Sequence, residues 1–304
     1  MEPSNLAVLI ASRNRPIKIL TLLRSINQNS ILPAQVIVVT SGEYQEISNL
    51  EFWKFNLAQH HVDFSGQVRQ KTFGLDFISA EIKWVLFLDD DVFLGNDFFA
   101  KMKMVKIDSK VLGYGLNHNI RHQKSFINHF HRVLQKKNLG KITRGGHAIS
   151  YIDSPTDIEI KWANGLSVWS TSVVNLYRLN LPSKSHDALE DVIFSHRVSK
   201  YGRIIFLKDI EVYSQEFVET PIAFRNYISS VYWRYYFVKN NKEFSALFFL
   251  GYEFVRAINF TLIGDKSIST LKRFIKTFLN LSELTLYVFS NKEPKKILFS
   301  KDLI

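Results

Sequence analysis

WVLFLDDDVFL, residues 84–94, joins five apolar residues to three adjacent carboxylates and then becomes apolar again. A continuous apolar run is typical of a strand that is covered on both faces of a parallel sheet. Adjacent like charges repel each other, and each carboxylate also loses hydration beside an apolar wall. The stretch therefore predicts a buried strand that ends in an anionic cluster, and a positive group must offset the cost of that cluster.

The residues around this stretch alternate between strand and helix patterns, which favours a parallel α/β sheet. Apolar runs predict strands at 6–12 (LAVLIAS), 34–42 (AQVIVVTSG) and 83–91 (KWVLFLDDD). Apolar residues at helical spacing predict a helix over residues 15–29, and residues 70–80 predict a second helix. Residues 52–66 carry mixed loop and helix signals.

The second half of the chain continues the mixture of strands and helices after a weakly patterned, basic segment at 98–146. Residues 149–170 predict strands with turns at Ser154-Pro155 and Asn164-Gly165. HDALEDVIFSHRVSKYG, residues 186–202, predicts a helix with Gly202 as its C-cap residue. RIIFLKDIEVYS, residues 203–214, predicts the strand that follows.

An aromatic-rich segment at 220–304 predicts a helical C-terminal extension. Its middle helix contains Glu253 and Arg256, so we do not expect it to span a membrane. Aromatic residues at helical spacing often form a core, but helices that combine Trp and Phe with Lys and Arg also lie on anionic bilayers. We expect the extension to contact an anionic membrane surface.

Composition restricts the class of protein. The chain has 304 residues, of which 46% are hydrophobic and 22% charged, as in a globular protein with a large core. The sequence contains no cysteine, which excludes disulfides and thiolate metal sites and fits a reducing compartment. The N-terminal residues MEPSNLAVLIASRNRP have no basic start and only a short apolar run, so they predict a strand rather than a signal peptide.

The net charge of +11 is unevenly distributed. Residues 101–146 contain eleven basic residues and one acidic residue, and residues 221–304 contain thirteen basic and six acidic residues. Such basic segments suit nucleic acid, an anionic membrane or a phosphate-bearing substrate, and composition does not choose among these.

The three carboxylates suit a metal ion. Successive strand residues point to opposite faces, so Asp89 and Asp91 are expected to share a side while Asp90 faces away. The carboxyl end of a parallel strand is where open α/β sheets bind ligands. Oxygen ligands alone favour Mg²⁺ or Mn²⁺. The alternative is a solvated acidic loop that caps a helix starting near Asn96, and the buried strand in front of the cluster favours the metal.

Five motifs occur in an order that resembles a family 2 glycosyltransferase of the GT-A fold, of the type that builds bacterial surface polysaccharides. They are IASRNRP (10–16), similar to a first-strand nucleotide-binding turn; RQKTFGLDFISA (69–80), which precedes the metal strand; FLDDDV (87–92), the D-x-D element; WANGLSVWSTSVV (162–174), similar to the acceptor-side W-x-x-G strand; and LEDVIFSHRVSKYG (189–202), similar to the E-D helix. The resemblance covers residues 6–214, about two thirds of the chain.

The resemblance implies a Rossmann-like, mostly parallel central sheet flanked by helices. It implies a GT-A domain at 1–219, with a donor half at about 1–97 and an acceptor half at about 98–219, followed by the extension at 220–304. It also implies a cytoplasmic enzyme that is peripheral on the cytoplasmic face of the inner membrane.

The resemblance further implies roles for single residues. Asp191 is the expected catalytic base, and Glu190 supports it. The expected donor-binding residues are Ser12, Arg13, Asn14, Arg15, Lys71, Asp89 and Asp90; the metal ligands are Asp89 and Asp91; and the acceptor-side residues are Trp162 and Gly165.

The chemistry of the residues agrees with these roles. A nucleotide-sugar donor leaves behind a diphosphate, and a divalent ion offsets the charge that develops on it. The acceptor, a glycan or a lipid-linked hydroxyl, needs a positioned carboxylate to take its proton. Two separated acidic sites are therefore required, and a single displacement would invert the anomeric centre.

Several of these residues also have ordinary structural explanations. Glu190 and Asp191 could form an acidic first turn that the helix dipole favours. Arg13 and Arg15 could lie in a solvated loop, and Lys71 could be a surface helix residue.

Two positions depart from the family pattern. The second strand of the family usually ends in an aspartate that holds the nucleobase, whereas this chain has Thr40 and Ser41. The family often places a histidine on the strand after the E-D helix, and Ser214 stands at about that place here. The nucleobase and the strength of metal binding are therefore open.

A group of histidines lies within the basic segment. His118 and His122 are four residues apart, with His129 and His131 nearby. The spacing lacks the further ligand and the glutamate of a zinc-binding helix, so a basic, solvated helix surface is the preferred interpretation.

Three other functions compete with the transferase. A nucleotidyltransferase would need a glycine-rich phosphate loop after the first strand, and SRNRP contains no glycine. A catalytically silent scaffold subunit of a polysaccharide assembly complex agrees with the two departures, but the retained aspartates argue against it. A nucleic-acid-binding role rests on charge alone, and we expect no nucleic-acid partner.

Overall fold

The computed structural model describes residues 1–43, 45–47, 49–119, 138–152, 154–178, 189–215, 224–263 and 269–290. The chain divides into two compact units. Unit 1 comprises residues 1–141, 149–180 and 190–217, and unit 2 comprises residues 142–148, 181–189 and 218–304. The expected domain boundary near residue 219 lies outside the described residues.

Unit 1 is built on one sheet to which nine strands belong among the described residues. The strands are β1 (Leu6–Arg13), β2 (Gln35–Ser41), β3 (Asn56–Val62), β4 (Trp84–Asp89), β5 (Val92–Leu94), β6 (Val111–Asn119), β7 (Ile158–Ile160), β8 (Ser167–Ser170) and β9 (Arg203–Ser214). Their order is β3-β2-β1-β4-β8-β6-β9-β5, and β7 pairs with β9.

The half of the sheet from β3 to β4 is parallel, as the continuous apolar runs predict. Ile10 of β1 stands opposite Val38 of β2 and Leu88 of β4. These three side chains are almost fully buried in the main core. Helices α1 (Pro16–Asn27), α2 (Gln67–Gly74), α3 (Phe98–Met104), α4 (Thr171–Val174) and α5 (Glu190–Val198) belong to this unit. The predicted mostly parallel α/β sheet with flanking helices is therefore confirmed.

The direction of the sheet changes at β8. This strand runs antiparallel to β4, with Ser167 opposite Phe87, and antiparallel to β6, with Ser167 opposite Gly115. Because β8 runs against β4, the residues that enter β8 lie at the sheet edge where β4 ends. Residues 162–166 thus share an edge with the three carboxylates.

Helix α2 begins and ends earlier than the sequence predicts. It starts at Gln67 and gives way at Leu75 to a 3-10 turn that ends at Phe77. Gly74 lies against the sheet so closely that a Cβ atom there would be 2.4 Å from Leu9 Cδ1. The close approach of the helix to β1 therefore requires glycine at this position.

The predictions missed three strands, of which the shortest is β5, directly after the carboxylates. Residues 52–66, where loop and helix signals mix, contain β3, an edge strand whose polar residues NLAQHHV hide the strand pattern. The basic segment contains β6, whose sequence VLGYGLNHN is interrupted by two glycines. A Cβ atom on Gly113 would be 2.3 Å from the Trp169 ring, so a large aromatic side chain occupies the space that a side chain would need.

Two smaller predictions were also wrong. Helix α5 ends at Val198, four residues before Gly202, because residues 199–202 form turns that lead directly into β9. His118 lies in strand β6 rather than on a solvated helix surface. His122, His129 and His131 lie outside the described residues.

Unit 2 is helical, as predicted for the C-terminal segment. Its described helices are α6 (Phe224–Lys239), α7 (Ala246–Ile263) and α8 (Thr270–Ser290). Tyr227 of α6 stacks on Phe260 of α7, with 4.4 Å between ring centroids. Glu253 is fully buried and accepts hydrogen bonds from Arg234 at 2.9 Å and Arg256 at 2.8 Å. Within the described ranges, none of the helices has the length and apolar character that crossing a membrane requires.

Candidate active site

The candidate site starts at the carboxyl ends of β1 and β4, which are adjacent and parallel. Asp90 follows β4 and is buried. It accepts hydrogen bonds from the Ser12 hydroxyl at the end of β1 and from Arg15 Nη1 at 3.0 Å. Asp90 therefore ties the two strand ends together and holds the Arg15 guanidinium at the site.

Asp89, the last residue of β4, faces a buried lysine. Its Oδ1 accepts hydrogen bonds from Gln67 Nε2 at 2.6 Å and from Lys71 Nζ at 3.3 Å. Lys71 is 1% exposed and its ammonium lies 5.4 Å from the centre of the Phe87 ring. Lys71 is thus not a surface helix residue, and together with Arg15 it supplies the positive charge that the cluster of carboxylates requires.

Asp91 is the most exposed of the three carboxylates. Its carboxylate forms an ion pair with Arg15 Nη1 at 3.6 Å, and 41% of its side chain is exposed. Partial burial raises its pKa above the usual value, and the carboxylates of Asp89 and Asp90 raise it further. Arg15 and Lys18 lower this pKa, but the net shift is upward.

The alternation expected along the strand does not continue past Asp89, because β4 ends there and residues 90–91 form a turn. Asp89 and Asp91 nevertheless keep 38% and 41% of their side chains exposed, while Asp90 is buried. Their oxygens are hard donors, which Mg²⁺ and Mn²⁺ accept. No group of three or more His, Cys, Asp or Glu side chains within the described residues is arranged to hold a metal ion.

The turn after β1 is fixed by Asn14. This residue has a φ of 55°, in the left-handed region, where asparagine is tolerated better than most residues. Its Oδ1 accepts a hydrogen bond from the backbone N–H of Glu43 at 2.8 Å, so the ends of β1 and β2 are joined. Arg13 is exposed beside this turn, opposite Ser41.

The end of β2 carries hydroxyl groups where the family usually has an aspartate. Thr40 and Ser41 are both buried. The Thr40 hydroxyl donates to the His60 carbonyl at 3.3 Å and lies 3.2 Å from His61 Nδ1. The Thr40 hydroxyl therefore contacts the edge strand, whereas the Ser41 Oγ atom is buried without a hydrogen-bond partner among the described residues.

The second acidic pair begins helix α5. Glu190 and Asp191 occupy its first turn, where acidic residues favour the helix dipole. Burial raises the pKa of both carboxyls. The pKa of Asp191 is raised to about 6, with a smaller contribution from the negative charge of Asp89. The pKa of Glu190 is raised well above its usual value, with a smaller contribution from Asp191. The positive charge of Lys71 lowers both pKa values. A helix-dipole explanation alone would lower these pKa values, so desolvation dominates here.

A small cavity lies between Lys71 and the second acidic pair. Its walls include Lys71, Glu190, Asp191 and Asn164. The Oδ1 atom of Asn164 is buried and has no hydrogen-bond partner among the described residues. The cavity thus joins the buried lysine to the second acidic pair, next to the residues that enter β8.

The acceptor-side residues lie along this same edge. Gly165 packs on Asp89, and a Cβ atom there would be 3.3 Å from Asp89 Oδ2. The Trp162 indole donates to the Ile149 carbonyl at 2.8 Å and packs edge-on against Tyr151. Gly165 therefore adjoins the carboxylate cluster directly, whereas Trp162 anchors the segment that precedes it.

Three residues at the site were not predicted. Gln67 binds Asp89, as described above, and Ser195 is fully buried in α5. The Ser195 hydroxyl donates to the carbonyls of Asp191 and Ala163, and it accepts from the Ala163 N–H at 2.9 Å. The helix that carries the acidic pair is thereby clamped to the segment that enters β8. A serine inside an apolar helix pattern is the signal that could have indicated it.

His118 is the third unpredicted residue. Its Nε2 lies 2.8 Å from the Ser214 hydroxyl. Ser214 stands opposite Val92 in the pairing of β5 with β9, and the next residue, Gln215, donates its N–H to the Asp91 carbonyl at 2.8 Å. An imidazole therefore lies near the place where the family often has a histidine, but β6 supplies it.

Comparison with solved structures supports the fold. Residues 1–349 of S. aureus TarS match with a TM-score of 0.59 at 14% sequence identity, over 98% of this chain and 82% of that chain. The same protein in complex with UDP-GlcNAc matches with a TM-score of 0.58 at 14% identity, over 93% and 81% of the two chains. The mannosyltransferase PcManGT from Pyrobaculum calidifontis, in complex with GDP-Man and Mn²⁺, matches with a TM-score of 0.52 at 13% identity, over 97% and 84%.

No protein-family model matches the chain, and no curated protein matches it either. The structural neighbours are glycosyltransferases of GT-A type, so the likeness to them shows the fold of this chain. The chain has an α/β fold like that of GT-A glycosyltransferases, with C-terminal helices.

Proposed function

We propose that the protein is a metal-dependent, inverting glycosyltransferase. It would transfer a sugar from a nucleotide-diphosphate sugar to a hydroxyl of a glycan or lipid-linked acceptor during the synthesis of cell-surface polysaccharide. The observation that carries the proposal is that one buried cation, Lys71, binds Asp89 and lines a cavity with Glu190 and Asp191. The donors UDP-GlcNAc and GDP-Man in the structural neighbours support a nucleotide-sugar substrate. Assignment to family 2 rests on the motifs.

Asp191 is the proposed general base. An acceptor hydroxyl ionises far above neutral pH, so a carboxylate must take its proton while the oxygen attacks the anomeric carbon. A pKa of about 6 keeps Asp191 mostly ionised at neutral pH and makes it a stronger base than an ordinary aspartate. Glu190 retains its proton to higher pH, which limits the negative charge beside the base.

The proposed donor site lies at the ends of β1 and β4. Arg13 and Arg15 would contact the diphosphate, since both guanidinium groups are at a strand end. Asp90 and Ser12 would act by holding Arg15, because the Asp90 carboxylate is already bound to both residues. The acceptor would approach from the side of Trp162 and Gly165.

Mg²⁺ or Mn²⁺ is the proposed cofactor, held by Asp91 and Asp89. Two partly exposed carboxylates fit a hard ion that is typically bound by one or two carboxylates and by substrate phosphates. When bound, the ion would offset the charge that develops on the leaving diphosphate. The PcManGT complex contains Mn²⁺.

Thermal unfolding tests the donor site. The midpoint of thermal unfolding is measured for the full chain as wild type, Asp91→Asn and Asp97→Asn. Each protein is measured with a panel of nucleoside diphosphates, with and without Mn²⁺. Asp97 is an exposed carboxylate six residues further along the chain, so it is a matched control. A nucleotide at 100 times its dissociation constant adds about 2.7 kcal/mol of stability. We expect one nucleotide to raise the midpoint only with Mn²⁺, and only in wild type and Asp97→Asn.

A second candidate, the catalytically silent scaffold, is favoured by Thr40 and Ser41, whose buried hydroxyls replace the aspartate of the family. The two candidates differ in turnover. The protein is given a nucleotide-sugar whose nucleotide is the one that stabilises it. If nucleoside diphosphate is released, and Asp191→Asn abolishes this release, the result supports the transferase. Nucleotide binding without any release supports the scaffold, and no binding at all contradicts the donor site. The cytoplasmic location at the inner membrane stays a prediction.

A further inference from the structure

Helices α7 and α8 of unit 2 expose large apolar side chains that their own unit does not cover. Leu247 and Val255 of α7 are 67% and 56% exposed. On α8, Leu271, Leu279, Leu286 and Phe289 are 64–71% exposed. Side chains of this size cost free energy in water, and a surface that gathers them usually marks an interaction site.

The exposed residues are arranged as stripes. Those of α8 follow each other at intervals of eight, seven and three residues, which keeps them on one face of a helix. On α7, Leu247 and Val255 are eight residues apart, with Gly251 between them. A Cβ atom added to Gly251 would meet no atom within 4 Å, so the middle of this stripe is open.

The two stripes meet. The ring of Phe254 on α7 lies edge-on to the ring of Phe278 on α8, with 6.1 Å between centroids. The exposed side chains of both helices therefore form one continuous surface, which we call the apolar face.

Basic residues border the apolar face. Lys272 is exposed beside Leu271, and Lys276 follows one turn later. At α7, the Arg144 guanidinium lies 5.9 Å from the Phe248 ring. Arg273 of α8 and Glu253 of α7 are both buried, so neither adds to the charge of this border. The border of the face is therefore positively charged, which is complementary to an anionic surface.

We propose that the apolar face docks onto the surface of an anionic lipid bilayer. Two neighbouring amphipathic helices with Leu and Phe on one face and Lys or Arg at its border have the features of helices that lie in the membrane interface. The apolar side chains would enter the boundary of the acyl chains, and the border lysines would contact anionic headgroups. The inference rests on unit 2 alone and does not depend on the reaction proposed for unit 1.

Flotation of the full chain with vesicles tests the proposal. Vesicles of phosphatidylcholine alone are compared with vesicles that contain phosphatidylglycerol, at low and high salt. We expect binding to the anionic vesicles only, and weaker binding at high salt. Each lysine near the surface contributes about a fivefold change in affinity, so Lys272→Gln with Lys276→Gln should weaken binding about 25-fold.

Leu271→Glu with Leu279→Glu tests the apolar part of the face. We expect these substitutions to abolish flotation while the thermal midpoint and circular dichroism stay at the wild-type values, since both side chains are already exposed. Phe52→Glu is the matched control, because Phe52 is 84% exposed in unit 1. Equal binding to neutral and anionic vesicles, or unchanged flotation of the double glutamate variant, would overturn the proposal.

Light scattering of the purified protein tests whether a second copy of the chain, instead of lipid, covers the apolar face. If wild type is a dimer and Leu271→Glu with Leu279→Glu is a monomer, the face binds a second copy of the chain and the lipid proposal is wrong. A monomeric wild type that floats with anionic vesicles supports it.

Discussion

Lys71 Nζ lies 3.3 Å from Asp89 Oδ1, and this lysine is almost completely buried. Its charge acts on two sites at once, because it also lowers the pKa values of Glu190 and Asp191. A positive charge close to a carboxylate favours the ionised form of that carboxylate. The lysine thus links the proposed metal carboxylate to the proposed base.

Replacing Lys71 should shift the pH dependence of the reaction. In Lys71→Met the charge that lowers the pKa of Asp191 is absent, so this pKa rises above about 6 and less of the base is ionised at pH 7. We expect the acidic limb of kcat against pH to move to higher pH. Lys71→Arg is the control, because it retains the charge and should keep the limb in place. An unchanged limb in Lys71→Met would contradict the electrostatic link.

Asp191→Asn should lower activity and raise stability. Loss of a general base costs about 10²- to 10⁴-fold in kcat. The pKa of Asp191 is raised from 3.8 to about 6 in the folded chain, so the folded state holds this proton more tightly than the unfolded state. Between these values the stability of wild type falls as pH rises.

Thermal unfolding of Asp191→Asn across pH checks this sign. The variant should have a higher midpoint than wild type at pH 7, and the difference should disappear below about pH 4, where the aspartate is protonated in both states. The asparagine Oδ1 can still accept the hydrogen bond that Val192 N–H donates to Asp191. A lower midpoint at pH 7 would show that the carboxylate stabilises the fold instead.

Gly165→Ala should weaken donor binding without unfolding the protein. The new Cβ atom would be 3.3 Å from Asp89 Oδ2, so the carboxylate must shift by a few tenths of an ångström. We expect a several-fold higher KM for the donor and a nearly unchanged thermal midpoint. Gly251→Ala is the comparison, because its Cβ atom meets nothing within 4 Å and alanine favours a helix by about 1 kcal/mol. Equal KM values for the two variants would show that Gly165 does not affect donor binding.

His118→Ala should reduce the metal dependence of nucleotide binding. The imidazole lies beside Ser214, next to the backbone that carries Asp91, and its loss removes one hydrogen bond worth about 1 kcal/mol. We expect several-fold more Mn²⁺ to be needed for the same stabilisation by nucleotide. Ser214→Ala serves as a control, since it removes the same hydrogen bond and keeps the imidazole. If both variants respond alike, His118 acts only through Ser214.

The strands that the sequence predicted correctly are those whose own residues form a recognisable apolar run. The apolar runs predict β1, β2 and β4, because strands buried on both faces need no partner information to be recognised. The Asp89–Asp91 cluster follows from such a run. Strand β9 was also predicted, although it is partly exposed. In contrast, β3 was missed because an edge strand exposes polar residues, and β6 was missed because its glycines make room for Trp169.

The supporting residues of the site could not be predicted in the same way. Gln67 and Asp89 are 22 residues apart, and Ser195 reaches Ala163 across 32 residues. His118 reaches Ser214 across 96 residues, and its spacing to other histidines suggested a helix. Each of these contacts depends on which strands are neighbours, and strand order is a tertiary property that a local pattern does not contain.

The reversed direction of β8 has a use in protein engineering. The end of β8 that follows Gly165 belongs to the edge of the carboxylates, while the residue after its other end, Thr171, donates its N–H to the Lys83 carbonyl at the opposite edge. The effect of an inserted reporter peptide on turnover should therefore depend on the edge at which it is inserted. An epitope between Ala80 and Glu81, both exposed, should leave turnover intact, whereas the same epitope after Asn164 should abolish it. Since the chain has no cysteine, one thiol introduced at either position would label a single known edge of the sheet.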